Sequence, residues 1–272
     1  MTTYRALKGY NVKSIASDPA NPKEGQIWYN SSVKSIKIQP LISAWASGGN
    51  LDTGRNQIVA VGSQTASIAF AGFDGTNRSA LAEEYDGSSW TEVGDLNTAR
   101  FNLQGFGIST AAIAVGGSAP SVTESWNGSS WTAVNNLNST RANLGSAGIQ
   151  TAGLAFGGNP SVTASESWDG TSWTATNALP AAKGSLAGSG TQTAALAFGA
   201  NLPGPLASAE SWDGTNWTAT ASMATARGYL GGCGTSTASL AVGGSSNPAP
   251  ENIKSNTEEF NNVATTRTVD VS

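Results

Sequence analysis

A cationic residue opens the same passage five times along this chain, at Arg55, Arg100, Arg141, Lys183 and Arg227, at intervals of 41 to 45 residues. Each is followed by a glycine-rich stretch, then by a Thr-Ala-x-apolar-Ala-apolar strand ending in a glycine pair, then by an acid–aromatic element. Four times that element runs on into an Asp/Asn-Gly-Ser/Thr-Ser/Asn-Trp-Thr turn. A period of this length means one supersecondary unit copied along the chain, each copy burying a face against the next. It constrains architecture and leaves function open, because repeat scaffolds carry many unrelated activities.

The apolar strands read ASIAFAG, AAIAVGG, AGLAFGG, AALAFGA and ASLAVGG. Their large residues (Ile68/Phe70, Ile113/Val115, Leu154/Phe156, Leu196/Phe198, Leu240/Val242) share one face. Small residues such as Ala69, Ala114, Ala155, Ala197 and Ala241 take the other, since side chains alternate along a strand. A sheet bulky on one face and flat on the other stacks on a copy of itself, as the blades of a β-propeller do. The strand before it is lean. Gly62, Gly107, Gly148, Gly190 and Gly234 recur seven residues after the cation, with Ala60, Gly105, Ser146, Gly188 and Gly232 two positions earlier. Small side chains suit strands that converge on an axis. Cys233 falls in this strand, so a buried structural thiol is expected.

The third strand ends in the acid–aromatic element: Glu84-Tyr85, Glu124-Ser125-Trp126, Glu166-Ser167-Trp168, Glu210-Ser211-Trp212 and Glu259-Phe260. Asp86-Gly87, Asn127-Gly128, Asp169-Gly170 and Asp213-Gly214 then supply a tight turn with positive φ. Trp90, Trp131, Trp173 and Trp217 begin an outer strand. Four strands per unit and five units predict an all-β, five-bladed propeller over residues 41–272, with residues 1–40 as a leader. The fifth unit stops after TEEFNN, without its Trp-Thr, while Ala44-Trp45-Ala46-Ser47 precedes Arg55 as Ser89-Trp90-Thr91-Glu92 precedes Arg100. The ring is therefore expected to close with the segment around Trp45 as the outer strand of blade five. The tail Thr266–Val271 alternates like a strand and is the competing or additional candidate. Closure removes sheet edges that otherwise pair with other chains.

Charged residues make up 12% of the chain, and its one cysteine offers neither a disulfide framework nor a thiol metal cluster. Residues 1–40 carry six cations against Asp18 and Glu24, a net of +4; the remainder has 8 cations and 16 acids, a net of −8. An acidic repeat region argues against nucleic-acid binding, and no apolar run is long enough to insert in a membrane as a helix. The basic leader either docks on an acidic surface or is simply solvated.

The glycine pairs Gly116-Gly117, Gly157-Gly158 and Gly243-Gly244, with degraded copies Ala71-Gly72 and Gly199-Ala200, the acid–aromatic element and the later Trp resemble the kelch repeat of galactose-oxidase-like propellers. The leader stretch SDPANPKEGQIWYNSSVKSIKI is similar to a short module near the N-termini of bacteriophage virion proteins, where Gly-Gln-x-Trp-Tyr-Asn precedes Ser/Thr/Asn/Gly-rich repeats. With shortened kelch-like repeats the combination most resembles marine phage structural and tail-fibre-type proteins. That resemblance implies a virion component assembled in the host cytoplasm, anchored to other virion proteins through the N-terminal segment. Trp28 and Tyr29 are its natural anchors, although both also suit packing under the propeller.

The galactose-oxidase copper site needs histidine ligands, and this chain has no histidine, which excludes that chemistry, a Ser-His-Asp triad and a His-ligated zinc site. Carboxylates remain, but Glu84, Glu124, Glu166, Glu210 and Glu258 or Glu259 recur once per unit, which suits a strand end or a partner for the repeating cation. No catalytic set, metal or cofactor is expected. A multivalent lectin, secreted or cytoplasmic, is the alternative reading, with repeated Trp and Asn/Asp as sugar contacts unless the Trp series packs internally. The links between second and third strands (73–81, 118–121, 159–163, 200–208 and 245–256) vary in length and sequence and fall on one rim, where binding usually resides. Asp74, Asn77, Arg78, Asn201, Asn247 and Glu251 are the candidate contacts there for a host-surface glycan or protein.

Overall fold

A computed structural model of the chain describes residues 12–19, 26–38, 47–118, 122–246 and 253–261. The chain divides into two compact units, Met1–Ser47 and Gly48–Ser272. Among the described residues there are 22 strands in six sheets and no helix. The sequence expectation of an all-β chain holds.

In the first unit β1 (Lys13–Ile15) pairs parallel to β2 (Ile27–Asn30), which pairs antiparallel to β3 (Ser35–Ile38). Asn30 sets the turn between β2 and β3: its Oδ1 accepts the backbone N–H groups of Ser32 (3.1 Å) and Val33 (3.2 Å). Asp18 ties the far side down, accepting the Asn30 amide at 2.7 Å and the Trp28 indole N–H at 2.8 Å. Those two hydrogen bonds, Asn30 first, hold the Asp18 carboxyl below its ordinary pKa. Trp28 is therefore buried within this small sheet and Tyr29 is half-buried on its opposite face.

The second unit holds five consecutive antiparallel sheets, one per repeat. Sheet one is β4 (Val59–Ser63), β5 (Ala66–Phe70), β6 (Ala82–Tyr85) and β7 (Trp90–Glu92). Sheet two is β8 (Gln104–Ile108), β9 (Ala111–Val115), β10 (Thr123–Trp126) and β11 (Trp131–Val134). Sheet three is β12 (Gly145–Ile149), β13 (Ala152–Phe156), β14 (Ser165–Trp168) and β15 (Trp173–Thr176). Sheet four is β16 (Ala187–Gly190), β17 (Ala195–Ala200), β18 (Leu206–Trp212) and β19 (Trp217–Thr220). Sheet five has three described strands, β20 (Gly231–Gly234), β21 (Ala238–Val242) and β22 (Thr257–Asn261). In every sheet the strands lie in chain order, so each is a meander.

The faces read from the sequence meet as expected. The core falls into four clusters, one at each junction between consecutive sheets. Ile68 and Phe70 of sheet one pack with Ala112 and Ala114 of sheet two, and the same bulk-on-flat contact joins each following pair. The first strands of consecutive sheets are neighbours, β4 beside β8, β8 beside β12, β12 beside β16 and β16 beside β20. Glycine there has a steric reason. A Cβ on Gly105 would stand 2.7 Å from the Phe70 ring, and one on Gly232 would stand 2.8 Å from the Phe198 ring. The glycines seven residues after each cation have a different one: Gly107 takes φ 125°, and a Cβ would collide with the Ala111 carbonyl across the hairpin. The turn requirement, rather than convergence on an axis, keeps that position glycine.

Each repeat is locked by one buried ion pair: Arg55–Glu83 (2.5 Å), Arg100–Glu124 (3.3 Å), Arg141–Glu166 (2.6 Å), Lys183–Glu210 and Arg227–Glu258. In the first repeat the partner is Glu83 and not the Glu84 read from the sequence. Glu83 pairs with Ala69 across the sheet as Glu124 pairs with Ala114, so the true motif is Glu-x-aromatic and Glu84 is its middle residue. By the same register Glu258 is the acid of the fifth repeat. Each carboxylate except Glu210 also accepts the backbone N–H three residues before the cation, from Asp52, Asn97, Asn138 and Ala224. The fourth repeat has Pro180 there, with no N–H to give; the Lys183 ammonium donates to both Glu210 oxygens and also to the Ser208 hydroxyl (2.7 Å).

Sheet five departs from the others. Leu240 and Val242, its bulky face, stay 36% and 44% exposed where their counterparts are buried. Cys233 is exposed as well, against the expectation of a buried thiol: Gly232 takes the face of β20 toward sheet four, and Cys233 takes the opposite face, beside the exposed Leu240. Trp45 and the tail Thr266–Val271 lie outside the described residues.

Candidate binding face

The links between second and third strands all leave the sheets at the end where the cations enter. Isolated bridges pin them to the residue after the cation: Asn56 to Phe73, Ala142 to Asn159, Gly184 to Leu202 and Gly228 to Ser245. The Asp/Asn-Gly turns occupy the other end of sheets one to four. There Asp86 Oδ1 accepts the backbone N–H of Ser88 (2.8 Å) and Ser89 (2.9 Å), and Gly87 alone takes positive φ. The Ser88 hydroxyl and these two N–H groups draw the Asp86 pKa down to about 2.

The first link, described throughout, is held by its own side chains. Asp74 Oδ1 accepts the backbone N–H groups of Thr76 (2.7 Å) and Asn77 (2.6 Å), and these bonds, Asn77 first, hold its carboxyl below the ordinary range. The loop thus presents a fixed carboxylate beside the exposed side chains of Asn77 and Arg78. Arg78 reaches into the next repeat, donating to the Ser118 carbonyl (3.3 Å) with its guanidinium 5.8 Å from the centre of the Phe101 ring. Phe73 and Phe101 lie 5.6 Å apart beneath it, and Ser118 is tied back to Phe101 in both directions. Sequence reasoning did not single out Phe73, Phe101 and Ser118; the available signal was an aromatic after the glycine of the first repeat and another after the cation of the second.

Asn201 does not join this cluster. Asn201 is 5% exposed, its N–H donates to the Gly184 carbonyl, and its own Oδ1 has no hydrogen-bond partner. It is held inside the fourth link rather than offered at the rim. Asn247 and Glu251 lie outside the described residues. Of the proposed anchors, Trp28 points into the leader sheet and Tyr29 away from it.

A second feature was not legible as a site. Gln57, Asn102, Asn143, Ser185 and Tyr229, two residues after each cation, all take left-handed backbone, φ 48° to 60°. Consecutive members are joined by backbone bonds, Asn143 N–H to Asn102 O, Ser185 N–H to Asn143 O and Tyr229 N–H to Ser185 O, at 2.8 to 2.9 Å. The row stands where the first strands begin, beside a cavity of about 260 Å³ bordered by Ile58, Gln104, Ser146, Ala187 and Leu230.

Six of the repeat indoles are structural, while Trp90 is half-buried beside Tyr85, ring centres 5.0 Å apart. Trp126, Trp131, Trp168, Trp173, Trp212 and Trp217 are all buried in the stack, so none presents a flat face to a sugar. Among the described residues no three His, Cys, Asp or Glu side chains are grouped to hold a metal ion, and no helix is long and apolar enough to cross a membrane. No protein-family model matches the chain, and no curated protein is similar to it.

Proposed function

We propose that this chain is a non-enzymatic phage virion protein that displays a five-bladed, kelch-like β-propeller for host-surface adhesion or capsid decoration. The ring reading is supported by the repeated bulk-on-flat junctions and by one cavity that touches all five repeats. The virion reading is supported by the resemblance of the leader and of the shortened repeats.

One observation carries the assignment to binding rather than catalysis. The recurring cations and glutamates are used inside the repeats as ion pairs, six of the recurring indoles are buried, and the recurring aspartates Asp86, Asp169 and Asp213 hold their own turns. What is left exposed and different from repeat to repeat is the rim, where Asp74, Asn77 and Arg78 sit on a fixed loop. A regular scaffold with its variation on one rim is a display device. Partners are then other virion proteins through the N-terminal segment and a glycan or protein of the host surface through the rim.

Quantitative mass spectrometry of purified particles tests this. Hundreds of copies per particle mark a decoration protein, and tens or fewer mark a tail or neck protein with an adhesive role. Absence from the particle overturns the virion reading and leaves the multivalent lectin.

A further inference from the structure

In sheets one to four a tight turn joins the third strand to the outer strand, and one of these turns carries an amide where the others carry a carboxylate. Asn127 stands in sheet two at the place of Asp86, Asp169 and Asp213, and it is the one asparagine of the chain followed directly by glycine. Residues 127–130 are exposed. Asn127 Oδ1 accepts three donors, the backbone N–H groups of Ser129 and Ser130 and the Ser129 hydroxyl, each at 2.9 Å. The Asn127 amide nitrogen and the Gly128 N–H donate to no described residue. Asn97, Asn135, Asn138 and Asn177, by contrast, all hold their amide nitrogens in hydrogen bonds.

We propose that Asn127-Gly128 is a self-modification site, at which the folded turn promotes loss of ammonia from Asn127 and leaves an aspartate. The Gly128 nitrogen gives its proton to solvent and attacks Asn127 Cγ, closing a five-membered ring. The Cγ–Nδ2 bond breaks, and Nδ2 takes a proton from water and departs as ammonia. Water then adds to Cγ of the succinimide, the ring Cγ–N bond breaks and the nitrogen is reprotonated. This restores the Gly128 peptide beside a new carboxylate. Addition of water at the main-chain carbonyl carbon would instead give isoaspartate. The inference goes beyond the virion reading and does not depend on it.

The geometry of the turn supports both the attack and its product. As the ring closes, negative charge develops on Oδ1, where three donors already converge at the distance that suits an oxyanion. The attacking nitrogen is free of other bonds, and the leaving nitrogen is open to water. The product fits the turn as well. Asp86 Oδ1 takes the same three donors from the Ser88 N–H (2.8 Å), the Ser88 hydroxyl (2.7 Å) and the Ser89 N–H (2.9 Å). They draw its pKa to about 2, so this place favours a negative oxygen. Hydrogen bonds also lower the pKa of Asp169 and Asp213. These carboxylates do not cyclise, because an ionised carboxyl is a poor electrophile that would have to expel oxide. Isoaspartate would lengthen the turn by one backbone atom against the Trp126–Trp131 register, so aspartate is expected as the main product.

The full chain, aged folded in neutral buffer beside a sample unfolded in urea, gives the test. Peptide mass spectrometry follows the amide-to-acid mass gain at residue 127 and separates aspartate from isoaspartate. Conversion is expected to be faster in the folded chain. Ser129→Ala should slow it about fivefold, the rate equivalent of one neutral hydrogen bond, and leave the unfolded rate unchanged. That variant keeps its turn, since Thr171 at the matching place of sheet three donates to Asp169 only through its backbone N–H. Two transplants separate the turn from the dipeptide. Asp86→Asn recreates the three-donor site and should convert as Asn127 does. Asp169→Asn, with only the Thr171 and Ser172 N–H groups on Oδ1, should convert at the Ser129→Ala rate.

A folded rate no higher than the unfolded one, equal rates for Asp86→Asn and Asp169→Asn, or isoaspartate as the main product overturns the proposal. These readouts need no phage particle, so the outcome for the virion reading leaves them untouched.

Discussion

At the scale of single residues the fold depends on charges placed where water cannot reach them. Burial lowers the Arg141 pKa and Glu166 raises it back in part, and a guanidinium stays protonated through either change. Arg141 also donates to the carbonyls of Gly157 (3.0 Å) and Ala164 (2.8 Å), so it fastens a strand end as well as a carboxylate. Arg141→Ala leaves Glu166 charged, 2% exposed and short of its partner, a loss of about 3–5 kcal/mol for a broken buried pair. The expected result is a melting temperature lower by about 10 °C, and an unchanged one would mean that the buried pair adds no net stability. Asp86 is the exposed contrast. Its pKa of about 2, against an ordinary 3.8, means the turn is supported above pH 4 and loses that support as pH falls through about 2. Titration of the carboxyl by NMR should place it near 2 and Ser88→Ala should move it upward, the Ser88 hydroxyl being the strongest of its bonds. The pairing of cation and glutamate was legible in the sequence because both recur. The choice of Glu83 over Glu84 was not, since two adjacent acids differ only in which face of the strand they take.

The element scale is where the sequence was most transparent. Alternation along β5, β9, β13 and β17 fixes a bulky face and a flat face, and the four core clusters join them in that sense. The fate of Cys233 was opaque for a reason at the same scale. Burial of a first strand is conferred by the sheets on either side, and a single strand cannot report its neighbours. Each junction also carries a polar detail. The Trp173 and Trp217 indoles find a hydroxyl on the preceding sheet, whereas the Trp131 Nε1 is buried without an acceptor because Ala82 stands at that place. Ala82→Ser should therefore stabilise the protein by about 1 kcal/mol, read as a higher melting temperature. The gain should vanish in a Trp131→Phe background, which has no N–H to satisfy. A gain that persists there would mean the serine acts through the strand rather than through the indole.

At the scale of the whole molecule the two units are built on different terms. The described repeats hold each other through four apolar junctions, while the described leader sheet is pinned by hydrogen bonds of its own. Asp18 takes both Asn30 and Trp28, and the Ser31 N–H donates to the Ile15 carbonyl at 2.8 Å. The leader is also the basic part of an acidic chain, +4 against −8. On the proposed reading, a basic sheet of this kind suits attachment to an acidic surface. The rim that would do the adhering was legible as a place, from the variable links. Its working residues were not, because the contact between Arg78 and Phe101 spans two repeats. Deleting residues 1–35 should accordingly leave the thermal transition of the repeats in place, within a few degrees, and abolish incorporation into particles. Incorporation of the full chain should weaken with added salt if its positive charge contributes, since screening at 1 M confines such attraction to about 3 Å. A truncated chain that no longer folds would instead make the leader a structural part of the repeat unit, and anchoring would have to be sought on the rim or on the exposed face of Leu240 and Val242.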